Sequence, residues 1–366
     1  MAIELSTLTF TDKDDIVPTS GMVEIHNTGG TTNTFAGNDI INAANEEIIN
    51  PFESRYSFIN SAYTLNTGDG DDVITAIFND LNNSEWADYA IYNRSAGIYT
   101  GDGNDIVTGI LNQSGGSGGA GIYNDGLGNI ETSDGNDIIT GIDNTGLESN
   151  IGIYNKYSHI TTGDGNDTIT GTASGIGFRN NNAGRIETGK GEDIIIGSSI
   201  FGYGISNETG IRETGIIDTG DGNDIILGIG IDSFGIYNSG RIDTGDGDDL
   251  IISNGVIYNT GAINTGNGND SIIAGEGFQL DRGGAMFLGE GEDYINGFGS
   301  GVYFGDSGND ILELMPGSYT IGISPGPIIF AKDGITMSTF GFEKLIAGST
   351  SYDFTSLTQG QTIIVA

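Results

Sequence analysis

Ten short stretches of this 366-residue chain place carboxylates and glycines in one repeated order, as in Thr-Gly-Asp-Gly-Asn-Asp at 100–105. Each stretch ends on an aspartate: Asp72, Asp105, Asp137, Asp167, Asp193, Asp224, Asp249, Asp270, Asp293 and Asp310. Six carry another aspartate at the third position, namely Asp69, Asp102, Asp134, Asp164, Asp221 and Asp246. Glycine tolerates positive φ, so such a stretch can turn sharply and aim its carbonyls at one point. Carbonyls and carboxylates are hard oxygen donors, and calcium takes about 6–8 of them. Magnesium, held in a tight octahedron with retained water, suits a wrapping loop less well. One stretch offers too few oxygens, whereas two from adjacent turns of chain offer enough. An EF-hand is excluded, because counting from Asp69 puts Val73 where that loop needs an acid.

The spacing between successive final aspartates is 33, 32, 30, 26, 31, 25, 21, 23 and 17 residues, and AGNDII, ending its turn at Asp39, reads as a degenerate first copy. The first eight copies also have an upstream asparagine closing a short apolar run: Asn60, Asn93, Asn124, Asn155, Asn180, Asn207, Asn238 and Asn259. Runs such as DVITAI, DIVTGI and DIILGI are short, β-branched and bounded by Gly, which predicts strands. The variable length falls after that strand, as in LNQSGGSGGA at 111–120. Constant strands with one elastic segment per repeat predict an all-β fold, a parallel β-helix (β-solenoid) of about ten irregular coils. Its asparagines would stack as a ladder and its aspartates as a single column of calcium-binding turns.

The turn and the strand after it resemble the nonapeptide G-G-x-G-x-D-x-U-x of RTX (hemolysin-type) calcium-binding repeat proteins. GDSGNDILE at 305–313 matches it best, and Thr usually replaces the first Gly (Thr67, Thr100, Thr132, Thr162, Thr188, Thr219, Thr244 and Thr265). The resemblance spans roughly residues 56–315. It implies calcium held between loops of successive coils by the sixth-position aspartate and turn carbonyls. Coils of that family carry two turns, whereas most coils here are longer and carry one. Lys190 stands where the third-position acid is expected, with milder changes at Asn267 and Glu290. The resemblance also implies export from bacteria by type I secretion through an uncleaved C-terminal signal, giving an extracellular or cell-surface location. The β-like tail from 333 to 366 and an N-terminus without a basic, apolar leader agree with that route.

Composition narrows the partners. Lys and Arg total 12 against 50 Asp and Glu, for a net charge of −38. So acidic a chain is unsuited to nucleic acid or an anionic membrane surface, and no apolar run is long enough to insert in one. Cysteine is absent, which excludes disulfides and thiolate metal sites. His26 and His159 stand alone, and the few scattered cations do not form a polyanion-cleaving site, so no enzyme is expected. Tyr92, Tyr123, Tyr154, Tyr237 and Tyr258 recur beside the asparagines as a structural ladder or, alternatively, a glycan platform of an adhesin; Arg179 and Ser206 interrupt them. A threonine column could suggest ice binding, which unequal coils disfavour.

Three segments follow: an N-terminal β segment (1–55) for capping or assembly, the solenoid (56–315), and a C-terminal β cap with secretion signal (316–366). Solenoid ends expose strand edges, so head-to-tail self-assembly into a filament, sheath or surface layer is expected.

Overall fold

The computed structural model describes residues 2–18, 23–45, 55–79, 87–113, 118–210, 214–281 and 283–366. The chain winds as a parallel β-helix with three stacked faces. Each central coil begins with a strand of sheet I (for example Asp88–Arg94), turns a corner at an asparagine, and adds a short strand of sheet II (Gly97–Tyr99). The T-G-x-G-x-D turn follows, then a strand of sheet III (Ile106–Gln113). Every coil pairs in parallel with the next, in constant register: Val73 with Ile106, Ile106 with Ile138, Ile138 with Thr168. The elastic segments lie between sheet III and the next sheet I; beside the one singled out above the sheet III register shifts, between Leu111 and Gln113, and its residues 114–117 lie outside the described residues.

Alternation explains the core. In sheet III the second residue of each strand points inward, giving a file of Ile74, Val107, Ile139, Ile169, Ile195 and Ile226, all 0% exposed. Leu65, Ile98, Ile130 and Ile160 form the matching file in sheet II, and Phe58, Ile91, Ile122 and Ile153 in sheet I, also fully buried. Each buried Ile contributes about 1.5–3 kcal/mol relative to exposure.

Two coils precede the ten full copies, one of them the degenerate copy ending at Asp39. Ile3–Glu4 pairs with Ile25–Asn27 and that with Arg55–Ser61, while Ile16–Val17 pairs with Ile40–Asn45 and that with Val73–Asn79, all parallel. The N-terminal segment is therefore the start of the solenoid and not a separate arm. Its first turn, Asp12-Lys13-Asp14-Asp15, lacks glycine, which hid it; only the tail Asp14-Asp15-Ile16-Val17 echoes Asn104-Asp105-Ile106-Val107. With Asp15 and Asp39, twelve turns stack instead of ten.

The other end closes differently. Ile335–Phe340 and Phe342–Ala347 continue the parallel stack, and the strands laid beyond them pair antiparallel. Ile328–Lys332, Gly317–Ile323 and Thr362–Val365 build that cap in order, over buried Tyr319, Phe330 and Met337.

Candidate metal centre

The corner before each turn is held by asparagine. Side-chain Nδ2 of Asn27 donates to Asn60 Oδ1, and the chain of bonds runs on through Asn93, Asn124, Asn155, Asn180, Asn207 and Asn238 to Asn259, at 2.7–2.9 Å. Asn93 Nδ2 also donates to Asn129 O at 3.0 Å, so both its protons are satisfied inside the core. The ladder fixes where each turn starts.

Within the turn, stacking leaves no room for side chains at the glycines. Gly101 has φ +86°, and a Cβ there would lie 1.9 Å from Gly68 O of the preceding coil. At Gly135 (φ +154°) a Cβ would lie 1.6 Å from Gly103 O and 3.3 Å from Asp137 Oδ1. A glycine carbonyl from one coil and a carboxylate from the next thus border the same small space.

The sixth-position aspartates form one buried file. The backbone N–H of each donates to Oδ1 of the next, from Asp15 through Asp39, Asp72 and onward to Asp310, at 2.7–3.0 Å. Asp310 N–H ends the series on Glu343 Oε2 at 2.8 Å, a terminal acceptor that no T-G-x-G-x-D pattern announces. The second oxygen is different. Oδ2 of Asp72, Asp137, Asp167, Asp193, Asp224, Asp249, Asp270, Asp293 and Asp310 is buried without a hydrogen-bond partner. The first-position threonine hydroxyls lie beside them, fully or almost fully buried, and ease the carboxylate charge while also bonding carbonyls along the axis. Thr188 Oγ1 donates to Thr219 O at 3.0 Å, and Thr244 Oγ1 to Thr265 O at 3.1 Å. At Asp105, by contrast, Oδ2 accepts from the Thr100 hydroxyl.

Burial dominates the electrostatics of this file. It pushes Asp72, Asp137, Asp249 and Asp293 up to about 7. Asp105, Asp167, Asp193, Asp224 and Asp310 rise to about 6, and Asp270 is also raised, for the same reason. Neighbouring carboxylates add to the rise at Asp224, where the Asp193 N–H and the adjacent Thr219 hydroxyl oppose it. A carboxylate with one oxygen bonded and one stranded in the interior requires either a proton or a cation.

The third-position acids lie elsewhere. Asp69, Asp102, Asp134, Asp164, Asp221 and Asp246 form a separate exposed file. Asp164 Oδ2 pairs with Lys190 Nζ at 3.4 Å, and Asp246 Oδ1 accepts from Asn267 Nδ2 at 2.6 Å. Lys190 keeps the backbone bridges of its column, to Asp164 and Asp221, so the stack passes through it unbroken. Among the described residues no three acidic or imidazole side chains converge on one point. Backbone carbonyls would therefore have to supply much of any cation's coordination.

A third file escaped the sequence reading. Fifth-position residues bond backward along the axis: Asn104 N–H to Asp71 Oδ1, Asn136 N–H to Asn104 Oδ1, and Asn166 N–H to Asn136 Oδ1, at 2.8–3.1 Å. Asp or Asn recurring before the final Asp was the available signal. Successive N–H groups of extended chain point to opposite sides, so fifth and sixth positions reach opposite neighbours.

The tyrosines outside sheet I stack on one another. Tyr92 and Tyr123 lie 5.5 Å apart at 4°, and Tyr237 and Tyr258 lie 5.0 Å apart at 4°. Arg179 continues the file, its guanidinium 5.3 Å over the Tyr154 ring and its Nη2 2.9 Å from Glu208 Oε2. Tyr123 and Tyr154 meet edge-on at 85°, and the other faces named are covered by rings or the guanidinium, which is the geometry of a ladder.

No family model and no curated protein matches the chain. Among solved structures, one similar in fold is described as a hyperactive, Ca2+-dependent, β-helical antifreeze protein from an Antarctic bacterium. It has 17% sequence identity and a TM-score of 0.38, over 85% of this chain and 74% of that one.

Proposed function

We propose that the chain is a calcium-binding structural rod, secreted and folded outside the cell, with no catalytic role. The observation that carries this reading is the file of stranded Oδ2 atoms, nine buried carboxylate oxygens without a donor. The sixth-position carboxylates, and the fourth-position carbonyls that border them as Gly103 O borders Asp137, are the groups that would hold the ions. Bound calcium would supply the positive charge that lets ionised carboxylates stack at one rung each. The third-position acids, exposed and apart, serve better as a surrounding negative field that attracts cations. Calcium is abundant outside cells, so export before folding, by type I secretion as the RTX resemblance implies, fits the same chemistry.

Features of both ends disfavour head-to-tail polymerisation. In the first turn Asp15 Oδ2 takes the Thr11 N–H at 2.7 Å, so that carboxylate is partly satisfied within its own coil. The edge strands there are two residues long, and the far end is covered by the antiparallel cap. The stacked tyrosines likewise favour a structural ladder over a glycan adhesin.

Calcium titration with circular dichroism tests the reading. Purified protein should show a stronger β signal and a higher melting temperature in calcium than in chelator, binding on the order of ten ions per chain. An identical spectrum and melting curve in calcium and in chelator would discard it.

A further inference from the structure

The outward face of sheet III is unlike the rest of this acidic molecule. Its first outward column runs Ile40, Val73, Ile106, Ile138, Thr168, Ile194 and its second Asn42, Thr75, Thr108, Thr140, Thr170, Ile196, each in unbroken register. Both continue as Ile225, Leu250 and Leu227, Ile252 to Tyr294 and Asn296. A third column contains Ile77, Ile110 and Ile142. No charged side chain stands in these columns between Ile40 and Asn296; Glu313 and Lys344 appear only on the last two rungs. Ile138 is 41% exposed, and its neighbours along the face are half-buried.

We infer that this face is the interface of a homodimer, two rods packed sheet on sheet. Ten rungs about 4.8 Å apart, with columns spanning about five residues of strand, make an area on the order of 700 Å². As an uncharged face of aliphatic and threonine side chains it approaches the ~800 Å² per partner of a stable complex. Charge selects the occupant. A chain of net charge −38 repels its copy on the carboxylate-bearing turn edge, and this face is where two copies meet without opposing acids. Periodicity selects it too. Ile ridges repeat once per rung, and a second copy has the same repeat, so ridges and grooves match along the whole length. A two-fold axis makes the contact isologous and closed, giving a dimer and not a fibre. The inference rests on the fold and the face, and it stands whether or not the aspartate file holds calcium.

Sedimentation of the full chain in calcium, over a concentration series, tests it. The wild type should sediment with twice the mass of one chain, and Thr140→Lys and Ile225→Lys should each sediment as monomers. Circular dichroism of both variants should match wild type, since both positions face outward. Because the chain has no cysteine, Ile138→Cys offers a second readout that tolerates weak association. Under oxidation its disulfide-linked dimer should form faster than from a cysteine placed on the tyrosine face. A wild type that stays monomeric throughout and shows no such preference overturns the inference, and so do folded Lys variants that remain dimeric. A monomer that pellets with phosphatidylcholine vesicles or reshapes ice crystals would assign the face to those surfaces instead, also overturning it.

Discussion

Asp224 donates its backbone N–H to Oδ1 of Asp249 in the next coil, at 2.8 Å, while its own Oδ2 lies buried with no partner. The bond joins the coils and leaves one oxygen per rung in need of positive charge. That unmet need makes the fold sensitive to protons and to metal.

With calcium withheld, stability should fall as pH rises. Folded-state values of about 6 to 7, above the ordinary 3.8, mean that the folded chain holds more protons than the unfolded chain across this window. Stability is then fullest below about pH 4 and is lost as pH climbs through about 7. In chelator the melting temperature should be higher at pH 5 than at pH 7.5. In calcium the order should reverse, because protons compete with the ion for the same oxygens. Equal melting temperatures at both pH values in chelator would show that these carboxylates do not control the fold.

The asparagine ladder should be least tolerant in its middle. Asn155 accepts from Asn124 and donates to Asn180, both at 2.9 Å, so Asn155→Leu strands one buried donor and one acceptor. We expect a loss of roughly 2–4 kcal/mol in denaturant unfolding. Asn259→Leu should cost less, since the ladder ends there and the next coil already has buried Leu280 at that corner. Equal losses at both positions would refute a linked ladder.

Asp143 is the opposite case, a buried acid that the fold does not use well. It stacks on Leu111, which stacks on Phe78, and its Oδ2 has no partner although Oδ1 accepts Thr145 N–H at 2.9 Å. Burial raises its pKa, so its charge opposes folding at neutral pH. Asp143→Leu should raise stability by about 1–3 kcal/mol. A lower melting temperature for this variant, with one fewer bound calcium, would mean instead that Asp143 itself holds an ion.

Much of this molecule was legible because its contacts are between copies of one phrase. Ile at alternate positions specifies the strands and their inward face. Asn60 to Asn259 are recognisable as a ladder, since the same residue type meets itself at each rung. The sixth-position aspartates and the glycines could be aligned by eye, and their stacking follows from the repeat.

Other properties exist only once the rungs are in place. The turns at Asp15 and Asp39 depart from the glycine pattern, yet they stack because neighbouring coils supply the pairing. Asp69 and Asp72 look equivalent as acids, but three residues of a tight turn put one in solvent and the other in the core. Glu343 ends the file from another kind of turn, and Thr140 and Ile225 become parts of one uncharged face by register alone. Sequence determined what each rung contains. Tertiary structure decided which oxygens lose water and which surfaces remain open, because desolvation depends on the coils above and below.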